Sequence, residues 1–188
     1  MLYNLIVAMC RNNGIGYKGQ TPWHISQDLT YFSKITKGDG NNAVVMGNNT
    51  WQNLPIITGK PKGLLRRDNF VLSRTDKFDM LLNHARLIKT FNSTNEIDAY
   101  LDQPHNIYEE VWVIGGAQIY KQFLEQGKID KCYVTYIDAE FKCDAFFPEL
   151  DKTVWREVER MESYDTTYNC NVSYIVYERS SSGQSAIS

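Results

Sequence analysis

VWVIGGAQIY (residues 111–120) reads as a short apolar strand that breaks at two glycines and reopens as a helix. AVVMGNNTW (residues 43–51) has the same order: apolar strand, glycine, helix start. A strand apolar on both faces is buried on both faces, and one that feeds directly into a helix is half of a parallel crossover unit. Two such units put helix N-termini at the carboxyl edge of one sheet, where open N–H groups and the positive end of the helix dipole suit phosphate. Neither stretch is a G-x-G-x-x-G fingerprint, so a conventional dinucleotide turn is not indicated. Gly115 and Gly116 either let a ligand press against bare backbone or merely permit a tight turn, and spacing alone leaves both open. Asn48-Asn49 is equally readable as a helix-capping segment.

Outward from these units, strand-like runs and helical patterns alternate along the chain. Strands are predicted at 3–9, 43–46, 69–73, 86–91, 111–114, 132–139, 154–161 and 173–179, and helices at 26–36, about 49–54, 94–102 and 117–126. The early strands are nearly all apolar and the later ones alternate, which predicts a mixed, largely parallel α/β sheet with an antiparallel finish. No repeat or linker divides the chain, so one domain is expected over residues 1–179. ITGKPKG (57–63) reads as a surface loop and SSSGQSAIS (180–188) as a disordered C-terminal tail.

At 188 residues the chain suits one well-cored domain. Its 43% hydrophobic and 22% charged residues are those of an ordinary globular protein. A net charge of −2 with no basic run argues against nucleic acid and anionic membrane surfaces as partners. The longest apolar run, Leu5 to Cys10, is too short to span a bilayer. The N-terminus lacks the basic lead and small-residue cleavage site of a signal peptide, so a cytoplasmic protein is expected. Four cysteines and three histidines are scattered, which predicts free thiols and no metal site.

TPWHISQDLTYF (residues 21–32) poses a sharper problem. Ser26 is a suitable N-cap, and Ile25, Leu29, Phe32 and Ile35 then share one apolar helix face with Asp28 among them. A carboxylate near a helix start favours the dipole, which accounts for its position but not for its face. Buried without a donor, it costs several kcal/mol, comparable with much of a domain's stability. The donor is either a protein hydroxyl, with Thr135 a candidate, or a ligand. A flat heterocycle presenting an amino group beside a ring N–H matches both carboxylate oxygens at once. Leu29 and Phe32 are then either walls for such a ring or simple core.

The ordered set W-x₄-D-L-x₂-F at 23–32, MGxxTW at 46–51, VIGG at 113–116 and T-x-I-D-A-E at 135–140 closely resembles dihydrofolate reductase. The likeness runs from about residue 3 to 179. It implies a single-domain α/β fold with an eight-stranded, mainly parallel sheet flanked by four helices, binding NADPH and a folate. It implies reduction of 7,8-dihydrofolate to tetrahydrofolate by hydride transfer to C6 and protonation of N5, supplying one-carbon and thymidylate metabolism. By resemblance Asp28 meets the pterin 2-amino group and N3, and it stands too far from N5 to protonate it except through water. Trp23, Thr135 and Tyr120 join Asp28 in the catalytic set. Ile6, Val7, Ala8, Leu29, Phe32, Leu54, Arg67, Ile114 and Thr135 are implied on the substrate side, with main-chain carbonyls available at Ile6 and Ile114.

For the cofactor, the resemblance implies Ala8, Ile15, Gly16, Gly47, Asn48, Asn49, Thr50, Leu72, Ser73, Arg74, Ile114, Gly115, Gly116, Ala117, Gln118, Ile119 and Tyr120. Residues 15–23 resemble a mobile loop that closes over the nicotinamide, and Gly115-Gly116 matches a pair joined by a cis peptide. Diaminopyrimidine or pteridine antifolates are the implied inhibitors, and a monomer the implied state. This sequence departs from the family pattern in three places. Asn48-Asn49 lacks a basic residue, GLLRRDN lets Arg66 compete with Arg67 for the glutamate carboxylate, and Cys143 stands at a loop position where several relatives have glycine. Two other readings stay open: a non-catalytic pterin- or nucleotide-binding module, and a same-fold reductase of a flavin-pathway pyrimidine.

Overall fold

Side-chain alternation along the central strands decides which helix covers which face. The computed structural model describes residues 3–54, 63–77, 79–82 and 86–180. The predicted loop at 57–63, apart from Gly63, and the tail beyond residue 180 lie outside the described residues. The chain runs through β1 (Tyr3–Cys10), β2 (Gly14–Gly16), α1 (Ser26–Lys37), β3 (Ala43–Gly47), α2 (Asn48–Asn53), β4 (Asp68–Leu72), β5 (Met80–Leu82) and β6 (Arg86–Phe91). It continues through α3 (Thr94–Leu101), β7 (Val111–Val113), α4 (Ala117–Glu125), β8 (Ile129–Ile137), β9 (Ala145–Phe146), β10 (Trp155–Asp165) and β11 (Cys170–Arg179).

The main sheet has the order β10-β11-β8-β1-β7-β3-β4-β6-β5. From β8 to β6 every neighbour pairs in parallel, while β11 and β10 at one edge and β5 at the other are antiparallel. The eight predicted strands are all present, and the three-residue β5 adds a short ninth at the rim. β2 and β9 form a separate two-stranded ribbon.

Period-two alternation then builds two cores. Leu5, Val7, Val45, Val111 and Val113 point to one face and pack with Ile97, Leu101, Tyr120 and Phe123 of α3 and α4. Ile6, Val44, Met46 and Trp112 point to the other and meet Trp51 of α2 with Tyr31, Phe32 and Ile35 of α1. Among the described residues, no helix is long and apolar enough to cross a membrane.

One helix start differs from its prediction. Ile25, not Ser26, is the N-cap of α1, with extended backbone and no side-chain capping bond. The Ile25 carbonyl accepts the Leu29 N–H at 3.1 Å, and its buried side chain packs with Trp23. Hydrophobic anchoring sets the entry of the helix here, and Ser26 becomes its first residue.

Candidate active site

β7 runs between β1 and β3, although it follows both in sequence. At such a switch point the loops leaving adjacent strands diverge and open a crevice at their carboxyl ends. A cleft of about 1880 Å³ opens there, larger than the roughly 300–1,000 Å³ typical of one small-molecule site. Every residue implied for the site lines this cleft except Gly115.

Asp28 lies in the first turn of α1 and is only 8% exposed. Burial raises its pKa above the usual 3.8, and a hydrogen bond from the Thr135 side chain opposes that rise. Its protein partner is thus a neutral hydroxyl. Trp23, Asp28 and Thr135 all line the cleft, and the Trp23 indole N–H is buried with no acceptor among the described residues. Leu29 is 52% exposed, so the apolar stripe of α1 is not all core. Phe32 and Ile35 face the sheet, while the half-exposed Leu29 lines the cleft, as does Leu54.

Of the two carbonyls expected to face ligand, that of Ile6 already accepts the Tyr120 hydroxyl at 2.8 Å. Tyr120 is fully buried, and burial followed by the nearby Asp28 charge pushes its pKa up. It therefore acts here as a neutral donor that ties α4 to β1.

The two neighbouring arginines sit differently. Arg67 is 5% exposed and lines the cleft. Its Nε donates to the Leu65 carbonyl at 3.1 Å, and its Nη1 to Thr36 Oγ1 at 2.7 Å. Arg66 is exposed, has a φ of 62°, and does not line the cleft.

On the opposite side, Gly47 and Gly116 are the N-caps of α2 and α4, and neither has a side-chain capping bond. The Gly47 N–H donates to the Gly115 carbonyl at 2.8 Å, joining the two strand–helix turns. Gly115-Gly116 is a cis peptide. Gly115 is buried and faces Tyr120, so it stands behind the wall rather than in it. A Cβ on Gly116 would sit 3.4 Å from Thr50 Oγ1, so the bare backbone keeps a narrow cradle between the two helix starts. Backbone donors, a dipole end and this cradle fit the pyrophosphate of a dinucleotide. Nearby, the Ser73 hydroxyl accepts the Asp76 N–H at 2.9 Å, and the Asn48 amide donates to the Asp76 carboxylate at 2.6 Å. Arg74 is exposed at this rim, beside Ser73 and Thr75.

Ile15 and Gly16 of β2 reach the cleft from the ribbon. Phe147 N–H donates to the Asn13 carbonyl at 2.8 Å, Asp144 N–H to Gly16 at 2.9 Å, and Lys18 N–H to the Asp144 carboxylate at 2.9 Å. Sequence reasoning missed several lining residues, among them Thr75, Asn92, Ser93, His24 and Phe146. The signal for Asn92 and Ser93 is position, since they directly follow a parallel strand at the carboxyl edge. Phe146 lies in a two-residue strand with no readable pattern.

Comparison with known proteins agrees with this geometry. The family model described as dihydrofolate reductase matches residues 2–179. A dihydrofolate reductase of Heliothis virescens is 36% identical over 161 residues, covering 83% of this chain and 84% of that protein. One from Aedes albopictus is 35% identical over 154 residues, covering 79% and 80%. The solved structure of dihydrofolate reductase from Enterococcus faecalis, complexed with NADP(H) and RAB-propyl, superposes with a TM-score of 0.74 at 30% identity, covering 95% of this chain and 96% of that one. On sequence and on fold alike, this chain belongs to the dihydrofolate reductase family.

Proposed function

We propose that the chain reduces 7,8-dihydrofolate to 5,6,7,8-tetrahydrofolate with NADPH, and that the buried Asp28 carboxylate holds the pterin. The observation that carries this reading is a buried carboxylate at the cleft whose protein partner is the neutral Thr135 hydroxyl. The 2-amino group and N3 of the pterin supply the paired donors that such a group needs. NADPH supplies the hydride that C6 receives. Asp28 keeps negative charge against the ring and so favours a proton on N5 delivered through water, with Trp23 and Thr135 fixing its surroundings. Leu29, Phe32 and Leu54 wall off solvent around the ring and the adjoining benzoyl group. Ile15 and Gly16 close over the nicotinamide side, while Thr50, Gln118 and the α4 start hold the pyrophosphate.

A monomer is the proposed state, with the whole reaction carried by one copy of the cleft. Free thiols suit a reducing cytoplasm. Loss of nicotinamide absorbance on mixing the protein with NADPH and dihydrofolate tests the reading. Binding of both without absorbance loss would mean a non-catalytic module. Turnover of a flavin-pathway pyrimidine in place of dihydrofolate would mean the sister reductase.

Two roles at the rims have separable consequences. Arg67 is positioned to fork onto the substrate's glutamate α-carboxylate. Arg67→Ala is expected to raise KM for dihydrofolate about 10–100-fold with kcat little changed, the loss of a charged hydrogen-bond pair. An unchanged KM in steady-state assays would remove this role. Arg74, exposed at the cleft rim, is taken to meet the adenosine 2′-phosphate, while the neighbouring Asn48 amide is engaged with Asp76. Arg74→Ala is therefore expected to raise KM for NADPH about 5–30-fold and leave that for NADH unchanged. Equal effects on the two cofactors would place the phosphate elsewhere.

A further inference from the structure

Cys10 and Cys143 are 133 positions apart in sequence, yet their sulfurs stand 3.8 Å apart. Cys10 closes β1 and is buried, while Cys143 is half-buried in the segment leading to β9. Gly14 explains why the sulfurs meet. A Cβ there would lie 2.5 Å from Cys143 Sγ and 2.9 Å from Cys10 Sγ, so its missing side chain is the space the two thiols share. The backbone of Gly14, with φ −66° and ψ 132°, does not itself require glycine.

We propose that Cys10 and Cys143 form a reversible disulfide, a modification site that pins the β2–β9 ribbon over the cleft. The oxidant class is a low-molecular-weight disulfide such as oxidised glutathione. The Cys143 thiolate attacks one of its sulfurs and expels the first glutathione thiolate, which takes up a proton. The Cys10 thiolate then attacks Cys143 of the mixed disulfide and expels the second. Two protein thiols are oxidised and one glutathione disulfide is reduced to two thiols. To bond, the sulfurs must close from 3.8 Å to about 2.05 Å, and Cys143 sits at the partly exposed end where a side chain can turn.

The bond would reinforce a seam that already exists. The backbone hydrogen bonds from Asp144 to Gly16 and from Phe147 to Asn13 lie on either side of β9, and β2 carries the cleft residues Ile15 and Gly16. A covalent tie from the end of β1 to Cys143 therefore holds these cleft residues in their present place. Burial, followed by the neighbouring Cys10 sulfur, pushes the Cys143 thiol up to about 11. Oxidation should accordingly be slow at neutral pH and quicken about tenfold per pH unit below that value. Bond formation does not depend on the proposed reaction, so it can be tested apart from turnover.

The full chain is incubated with oxidised glutathione at pH 8.5, and intact mass, alkylatable thiols and peptide maps are followed. The expected result is a mass loss of about 2 Da, disappearance of two alkylatable thiols, a Cys10–Cys143 peptide, and full reversal by dithiothreitol. Cys143→Ser should leave Cys10 reduced, and Gly14→Ala should slow closure at least tenfold by wedging the sulfurs apart. Hydrogen exchange at residues 14–18 and 144–147 should slow in the oxidised form. A stable mixed disulfide that never closes, or pairing through Cys132 or Cys170, overturns the site. Unchanged exchange in the oxidised form overturns the pinning.

Discussion

Asp28→Asn is expected to lose about 10²–10³-fold in turnover at neutral pH while the protein keeps its fold and gains stability. The loss follows from charge: asparagine keeps the shape but offers one acceptor and an amide donor, so it repels one of the two pterin N–H groups and leaves N5 less basic. The gain follows from linkage. Burial raises the Asp28 pKa in the folded chain above its ordinary 3.8, so the folded state holds this proton to higher pH than the unfolded state. Its effect on stability is nil below the unfolded value, where both states are protonated. Stability then falls as pH rises from there through the folded value and stays lowered at neutral pH. The variant should therefore melt higher than the parent at pH 7, and the difference should vanish below about pH 4. The parent's turnover should also decline at alkaline pH, as the proton for N5 becomes scarce. Undiminished activity in the variant, or a higher melting point for the parent at pH 7, would contradict this assignment.

Gly115→Ala carries the second large effect. Gly115 has a φ of 112°, a conformation L residues rarely adopt, and an added Cβ would lie 3.0 Å from the Tyr120 ring. The backbone strain alone is about 1–3 kcal/mol. The clash also pushes on the side chain that donates to the Ile6 carbonyl, so the Gly115-Gly116 turn and β1 are disturbed together. Calorimetry should show a melting point lower by about 4–10 °C and NADPH affinity about 10–100-fold weaker. Gly116→Ala makes the control. Its φ is −79° and its Cβ would meet Thr50 at an ordinary 3.4 Å, so stability should hold while affinity falls as the cradle fills. Equal losses of stability in the two variants would show that Gly115 has no special place.

Elements with strong periodicity were legible in the sequence: the buried strands around β7 and the four helices stand where their patterns put them. What escaped reading depended on contacts between distant segments. Ser26 is a good cap by residue type, but burial of Ile25 against Trp23 moved the cap one residue back. Leu29 fits the apolar stripe by angle, yet α1 borders the cleft and leaves that position at the rim. Arg66 and Arg67 cannot be ranked by adjacency, and only the Thr36 hydroxyl, 31 positions away, shows which one is held in the wall. Gly115 and Gly116 look alike in sequence, though one backs the wall and the other lines it. Asp28 was legible for the opposite reason, since a lone acid on an apolar stripe conflicts with local rules and so points to a ligand.

Isothermal titration of a 2,4-diaminopyrimidine antifolate into the parent chain and into Asp28→Asn asks whether this carboxylate finds its partner in the ligand. The parent should bind at least about 100-fold more tightly, because the variant leaves the amidine-like edge without a paired anion in a buried site. Equal affinity in the two proteins would show that Asp28 is satisfied by the polypeptide and has no part in holding the ring.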